Sequence, residues 1–294
     1  MSLAEAHFVL DRPAGCLAYS LRRAAAQPAR GTLVLLHGLA SNRSRYAEFS
    51  ALTGLARDWN IVRLDLRGHG QSTTQSALSL EAWSGDLAAL LDALEADRAV
   101  VVGHSLGAQV ALDFAARHAA RVAGLVLIDP LPQPALNARA RRWRAALPAL
   151  RLLAAALRLA HRLGLSRGDL PLRDLHAEDE AARALLAAGL PLDDFVRQYA
   201  SVRADLRYVR SATYAQDFIE LLRPAPAPEA IAAPVLVLVS AAGTFAEPAA
   251  LSAWARRFPH GEEAIIHCHH WPLTERPEEV RGLIEAWVGR ALRV

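Results

Sequence analysis

Lysine is missing altogether: all 33 basic residues are arginine, set against 30 acidic residues for a net charge of +3. Nucleic-acid binders gather basic side chains into a patch. A replacement of lysine this uniform reflects the composition of the whole chain, so no nucleic-acid partner is expected. Cysteine is nearly as scarce. Cys16 and Cys268 are too few for a disulfide framework and stand in no metal-ligand spacing, which points to a reduced, cytoplasmic setting. No apolar run reaches the roughly eighteen residues of a membrane-spanning helix. The stretch Met1-Ser2-Leu3-Ala4-Glu5-Ala6-His7 has no basic start ahead of an apolar core, so no secretory signal is expected.

What is present is 53% hydrophobic and 21% charged residues over 294 positions, a globular rather than a disordered composition. That length holds one large domain, or one domain with an insertion. From His7 to Leu21 the pattern is short and mixed, consistent with one or two antiparallel strands joined at Pro13-Ala14-Gly15. Apolar runs then recur at Thr32–Leu36, Ile61–Leu64, Ala99–Val102, Ala123–Ile128, Pro234–Val239 and Ala264–Ile266. Between the second and third of these runs, Leu87, Leu90, Leu91 and Leu94 repeat at helical spacing. Strands alternating with helices predict an α/β fold with a mostly parallel sheet covered on both faces. Functional groups then gather at the carboxyl ends of the strands.

The centre of the chain is Gly103-His104-Ser105-Leu106-Gly107. An apolar strand precedes it, and Ala108, Ala111, Leu112 and Ala115 follow at helical period, so Ser105 stands on a strand-to-helix turn. Such a turn strains the serine backbone. Glycines two residues to either side let the neighbouring backbone approach without a clashing Cβ. The helix dipole and the Leu106 amide, which has no partner within a helical first turn, both favour negative charge beside the hydroxyl.

This segment resembles the nucleophile elbow of the α/β-hydrolase family, and three further stretches resemble the family in the same order. His37-Gly38-Leu39 is similar to its His-Gly-x turn, Asp65-Leu66-Arg67-Gly68-His69-Gly70-Gln71-Ser72 to its Asp-x-Arg-Gly-x-Gly-x-Ser loop, and His267–Pro277 to its catalytic-histidine loop. The resemblance implies Ser105 as nucleophile, His270 as base, and the backbone amides of Leu39 and Leu106 as oxyanion donors. It implies structural roles for Asp65 and His69, and no cofactor or metal. Leucine at position 39 and serine at 105 set the chain apart from dehalogenases of the same fold, which pair a polar side chain there with a carboxylate nucleophile. His267, His269 and His270 lack the helix-face spacing of metal ligands, and no acidic ligand is close in sequence.

The acid of the triad departs from the pattern. Relatives usually place it after the strand that corresponds to Pro234–Val239, where this chain has Gly243 and no carboxylate before Glu247. Some members supply it one strand earlier, and Asp129 stands there. Asp129 is therefore the expected acid, with Glu247, or no acid at all, as alternatives. His269 also replaces a glycine common in the family, so a wider or altered histidine loop is expected.

Residues 131–230 break the alternation: prolines open and close the segment, and its interior is helical. The resemblance implies a helical cap inserted into a core made of residues 1–130 and 231–294. Between Leu131 and Arg173 the segment carries nine arginines against one acid, Asp169. Read as one helix, it puts Arg144, Arg151, Arg158 and Arg162 on one face and leucines over most of the rest. Membrane-surface contact is one reading of that arc. A cap helix packed on the core with a solvated arginine edge is the plainer expectation. The function expected is hydrolysis of an ester, or another acyl or carbon–carbon bond, in a small molecule with an apolar acyl group. A non-catalytic or slowly turning-over receptor on the same scaffold is the alternative.

Overall fold

The structure, a computed structural model, describes residues 4–13, 15–165 and 170–292, the side chains of His161 and Arg162 excepted. Ala14 of the first expected turn, Asp169, Arg167 and the arginine edge at Arg162 lie outside the described residues. Every apolar run becomes a strand: β1 (Ala6–Arg12), β2 (Gly15–Arg22), β3 (Gly31–Leu36), β4 (Trp59–Leu64), β5 (Ala99–His104), β6 (Val122–Ile128), β7 (Val235–Ser240) and β8 (Gly261–Ile266). They form one sheet in the order β1-β2-β4-β3-β5-β6-β7-β8. The pairs β1–β2 and β2–β4 are antiparallel, and all others are parallel.

Helices follow in chain order as α1 (Ala47–Leu52), α2 (Leu80–Ala93), α3 (Leu106–Arg117), α4 (Ala138–Ala145), α5 (Leu147–Arg162), α6 (Leu175–Ala187), α7 (Leu192–Tyr199), α8 (Val202–Asp205), α9 (Ser211–Leu221), α10 (Pro248–Ala255), α11 (Pro272–Glu275) and α12 (Pro277–Ala291). The two-residue period of the strands decides how the sheet is covered. Val34, Leu36, Val101, Leu125, Leu127 and Val237 face a core shared with α2, α3 and α10. Their neighbours Leu33, Leu35, Val100, Val102, Val126 and Leu236 face a second core built with α1 and α12. Each such side chain, taken out of water, contributes about 2 kcal/mol.

Helices α4 to α9 all fall between β6 and β7, consistent with the expected helical cap. The single long helix read from the sequence is two: α4 ends at Ala145 and α5 starts at Leu147. Pro148 explains the break, since it has no amide to donate and is tolerated only in a first turn. Arg144 therefore sits on a different helix from Arg151 and Arg158. Leu150 and Leu157 of α5 pack with Ala154, Ala215 and Ile219 against α9.

Candidate active site

Parallel register sets the candidate side chains in a row. Leu36 pairs with Gly103, His104 with Ile128, Ile128 with Leu238, and Ser240 with Ile266. The residues just past these pairs, His37, Ser105 and Asp129, emerge side by side at the carboxyl edge. The ladder continues one step beyond the strands, because the Ser105 amide donates to the Ile128 carbonyl (3.1 Å) and the Asp129 amide to the Leu238 carbonyl (2.8 Å).

Ser105 has φ 53° and ψ −110°, a conformation that L residues rarely adopt. Ala40 and Asp129 are also non-glycine residues at positive φ, 52° and 43°. Such strain at the ends of neighbouring strands is held in place by close packing around it. A Cβ on Gly103 would run into the Gly107 carbonyl, and one on Gly107 into the carbonyls of Leu36 and His37. The missing side chains let β3, β5 and α3 meet.

His270, just before α11, joins the row. Its Nε2 lies 3.0 Å from Ser105 Oγ and its Nδ1 2.6 Å from Asp129 Oδ2. Asp129 Oδ1 accepts from the Ser240 amide at 3.1 Å, which fixes the carboxylate plane. Glu247 does not approach: it is exposed, precedes α10 and donates its amide to the Ala135 carbonyl at 2.7 Å. The position where most relatives hold the acid is taken by Gly243 at φ 64°. The structure thus brings Ser105, His270 and Asp129 together and leaves Glu247 outside.

The two expected oxyanion amides flank this row. An ideal Cβ on Gly38 would stand 3.4 Å from Ser105 Cβ, so the Gly38-Leu39 turn runs beside the hydroxyl. Leu106 opens α3, and among the described residues neither the Leu39 nor the Leu106 amide has a hydrogen-bond partner. The turn is set by His37. Its Nδ1 donates to the Gly38 carbonyl (2.8 Å) and its Nε2 accepts from the Leu66 amide (3.0 Å). Burial holds the His37 pKa well below the ordinary value, so the ring is neutral, as those two bonds require. His104 behaves alike: burial lowers its pKa, and Nε2 donates to the His270 carbonyl at 2.8 Å.

Neighbours of His270 point elsewhere. His269 is held by Glu275, which accepts from both its amide (3.0 Å) and Nδ1 (3.0 Å). His267 is exposed and Cys268 is buried, its thiol pKa pushed up to about 12 by burial. Asp65 accepts from the amides of Arg43 and Gln71, and His69 lies 2.9 Å from Asp217 of α9, both fully buried.

Ser105 is 4% exposed, yet it is reachable, because it lines a cavity of about 630 Å³ together with His270. Leu150, Leu157, Trp143, Phe218 and Phe245 make most of that cavity apolar. Sequence periodicity pointed to leucines of the cap but gave no sign of Trp143 or Phe245. Phe245 stands edge-on to the His270 ring with centroids 4.8 Å apart. Nor did it reveal the charges that fasten the cap. Arg45 pairs with Asp179 of α6 and donates to Thr274 of α11 (2.7 Å), and Tyr199 of α7 donates to the same Asp179 (3.0 Å). Arg173 bridges Asp205 of α8 (2.9 Å) and the carbonyl of Ala40 (3.3 Å), beside the Leu39 turn.

Comparison with known proteins gives one family and one fold. The family model for the alpha/beta hydrolase fold matches residues 31–277. Among curated proteins, esterase YbfF of Escherichia coli is 33% identical over 100 residues, which is 34% of this chain and 39% of that one. The match thus spans about two fifths of the relative's length. Among solved structures, a hydrolase from Pseudomonas aeruginosa aligns with TM-score 0.69 at 22% identity, covering 96% of this chain and 98% of that one. A thermophilic esterase from Thermogutta terrifontis aligns with TM-score 0.67 at 22% identity, covering 99% and 100%.

Proposed function

The chain belongs to the α/β-hydrolase fold family, and on that premise we propose that it is a serine hydrolase cleaving carboxylic esters through an acyl-enzyme intermediate. The observation that carries this reading is the unbroken row from Ser105 Oγ through His270 to Asp129, at 3.0 and 2.6 Å, opening into an apolar cavity. His270 Nε2 takes the Ser105 proton as Oγ adds to the ester carbonyl, and the Leu39 and Leu106 amides receive the negative oxygen. The tetrahedral adduct collapses, and His270 returns the proton to the departing alcohol. Water then adds to the acyl group with the same base, which releases the acid and restores Ser105.

Asp129 keeps Nδ1 protonated, so that Nε2 faces the serine as an acceptor, and it stabilises the imidazolium formed in each step. The 2.6 Å contact between Asp129 and His270 supports the enzyme over the receptor alternative. No step needs a cofactor. Residues 131–230 form the cap and residues 1–130 and 231–294 the core, and the pocket lies between them. Its apolar walls suit an apolar acyl group, in keeping with the esterases among the relatives.

A panel of p-nitrophenyl esters tests the reading. Wild-type protein should release nitrophenol, and Ser105→Ala should lose activity by about 10⁴-fold or more. Retained ligand binding with no turnover of any ester would replace the enzyme by the receptor.

A further inference from the structure

The cap helices carry an outer face that the catalytic reading leaves unused. Leu152 and Leu159 recur at i and i+7 on one side of α5, Leu163 follows in the turn just past its end with its amide on the Leu159 carbonyl, and the three are 75%, 58% and 67% exposed. The opposite side holds Ala154, which is fully buried against α9. α5 is thus packed on one face and bare on the other, where the plainer sequence reading expected leucines covered by the core.

Arginines surround this bare face. Arg139, Arg141, Arg142 and Arg144 of α4 and Arg151 of α5 are all exposed, and among the described residues none lies within ion-pairing distance of a carboxylate. Elsewhere on the surface Arg117, Arg256, Arg257 and Arg290 meet acids while Arg23, Arg30, Arg98 and Arg203 stand apart from one another, so what distinguishes this face is five such cations gathered within thirteen positions. The active-site cavity adjoins another side of α5, since Leu150, Leu153 and Leu157 line it and lie about 100–160° around the helix from Leu152. Arg139, Ala146 and Leu153 line the cavity and are also exposed, as are Ala200 and Val202 across from them.

We propose that the α4–α5 face docks the protein on an anionic lipid surface, with the exposed leucines entering the apolar boundary and the arginines meeting lipid phosphates. Exposed leucines beside unpaired cations fit a surface that is apolar within and negative at its rim. A second copy of the chain would bring like charges together, and a nucleic acid would leave the leucines in water. Docked in this way, the exposed cavity-lining residues Arg139, Ala146 and Leu153 border the docked face, beside the lipid boundary from which an apolar ester would be drawn. This deepens the proposed function by naming where its substrate comes from.

Co-sedimentation with phosphatidylglycerol vesicles tests the docking apart from the chemistry, because it is measured with Ser105→Ala as well as wild type. At low salt both proteins should pellet with these vesicles and remain in solution with phosphatidylcholine alone. Two variants divide the interaction: Leu152→Asp/Leu159→Asp removes the apolar contact, and Arg141→Glu/Arg144→Glu reverses two charges. Each should weaken binding at least about tenfold. Both should keep the wild-type circular dichroism spectrum and wild-type turnover of p-nitrophenyl acetate, since none of the four residues lines the cavity. Wild-type protein left in solution at low salt, or binding undiminished in either variant, would overturn the proposal. Binding that depends on the arginines but not on the leucines would assign the face to a soluble polyanion instead. Vesicle binding without ester turnover would leave the docking intact and remove the hydrolase.

Discussion

Asp129 has two hydrogen bonds with different tasks: Oδ1 receives the Ser240 amide and Oδ2 the His270 ring. The first fixes the carboxylate, and the second fixes the tautomer. Asp129→Asn keeps the shape and loses the charge, so kcat/KM for a p-nitrophenyl ester should fall about 10⁴-fold, while Glu247→Gln stays near wild type. The reverse ordering of the two variants would contradict the assignment. In the sequence this acid was the expected one, with Glu247 or no acid as alternatives, because the strand-end position is a matter of register and not of pattern. His37 and His104 were visible as motif letters but not as neutral rings, His37 bonded at both nitrogens and His104 at Nε2. Burial depresses both pKa values, so between these groups only the unfolded chain takes up protons below about pH 6.5. Their stabilisation is whole above that pH and is lost as pH falls below it. Burial pulls the His69 pKa down but Asp217 raises it, so His69 acts in the opposite sense. The separate rings are therefore read by NMR, where His37 and His104 should remain neutral at pH 5. Midpoints near 6.5 would contradict their burial.

At the scale of the element, the elbow joins β3, β5 and α3 through two bare backbones. Gly107→Ala should push α3 away from the carbonyls of Leu36 and His37, lowering stability by about 1–3 kcal/mol and displacing both oxyanion amides. Urea unfolding together with ester turnover checks this, and a variant wild-type in both would mean that the close approach is not needed. The strands and α2 were legible because their apolar period is carried by consecutive residues, which no partner elsewhere can disguise. The α4–α5 break was not, although Pro148 signals it, because leucines and arginines keep a helical rhythm across the junction. The face that α5 leaves bare depends on where α9 packs, and periodicity alone does not choose between two apolar sides.

Over the whole molecule, a cap made in one continuous insertion is fastened to the core by buried charge. Arg45 and Asp179 are 7% and 4% exposed in their side chains, and their partners Thr274 and Tyr199 come from the histidine loop and the cap. Asp179→Ala leaves the Arg45 cation unpaired, at a cost of about 3–5 kcal/mol. Arg45→Met/Asp179→Leu removes both charges and should recover most of that loss in urea unfolding. A single variant within about 1 kcal/mol of wild type would show that the pair does not tether the cap. Arg45 reaches Asp179 and Thr274 across 134 and 229 positions, so these contacts left no trace in local pattern. The family match runs over residues 31–277 and gives the scaffold without the substrate. The central claim, that Ser105 carries the acyl group in turnover, is tested most directly by trapping that adduct. Wild-type protein quenched in acid during hydrolysis of a p-nitrophenyl ester should show one acyl group on the peptide containing Ser105, with none in Ser105→Ala. Turnover with no adduct, or an adduct on any other residue, would contradict the account.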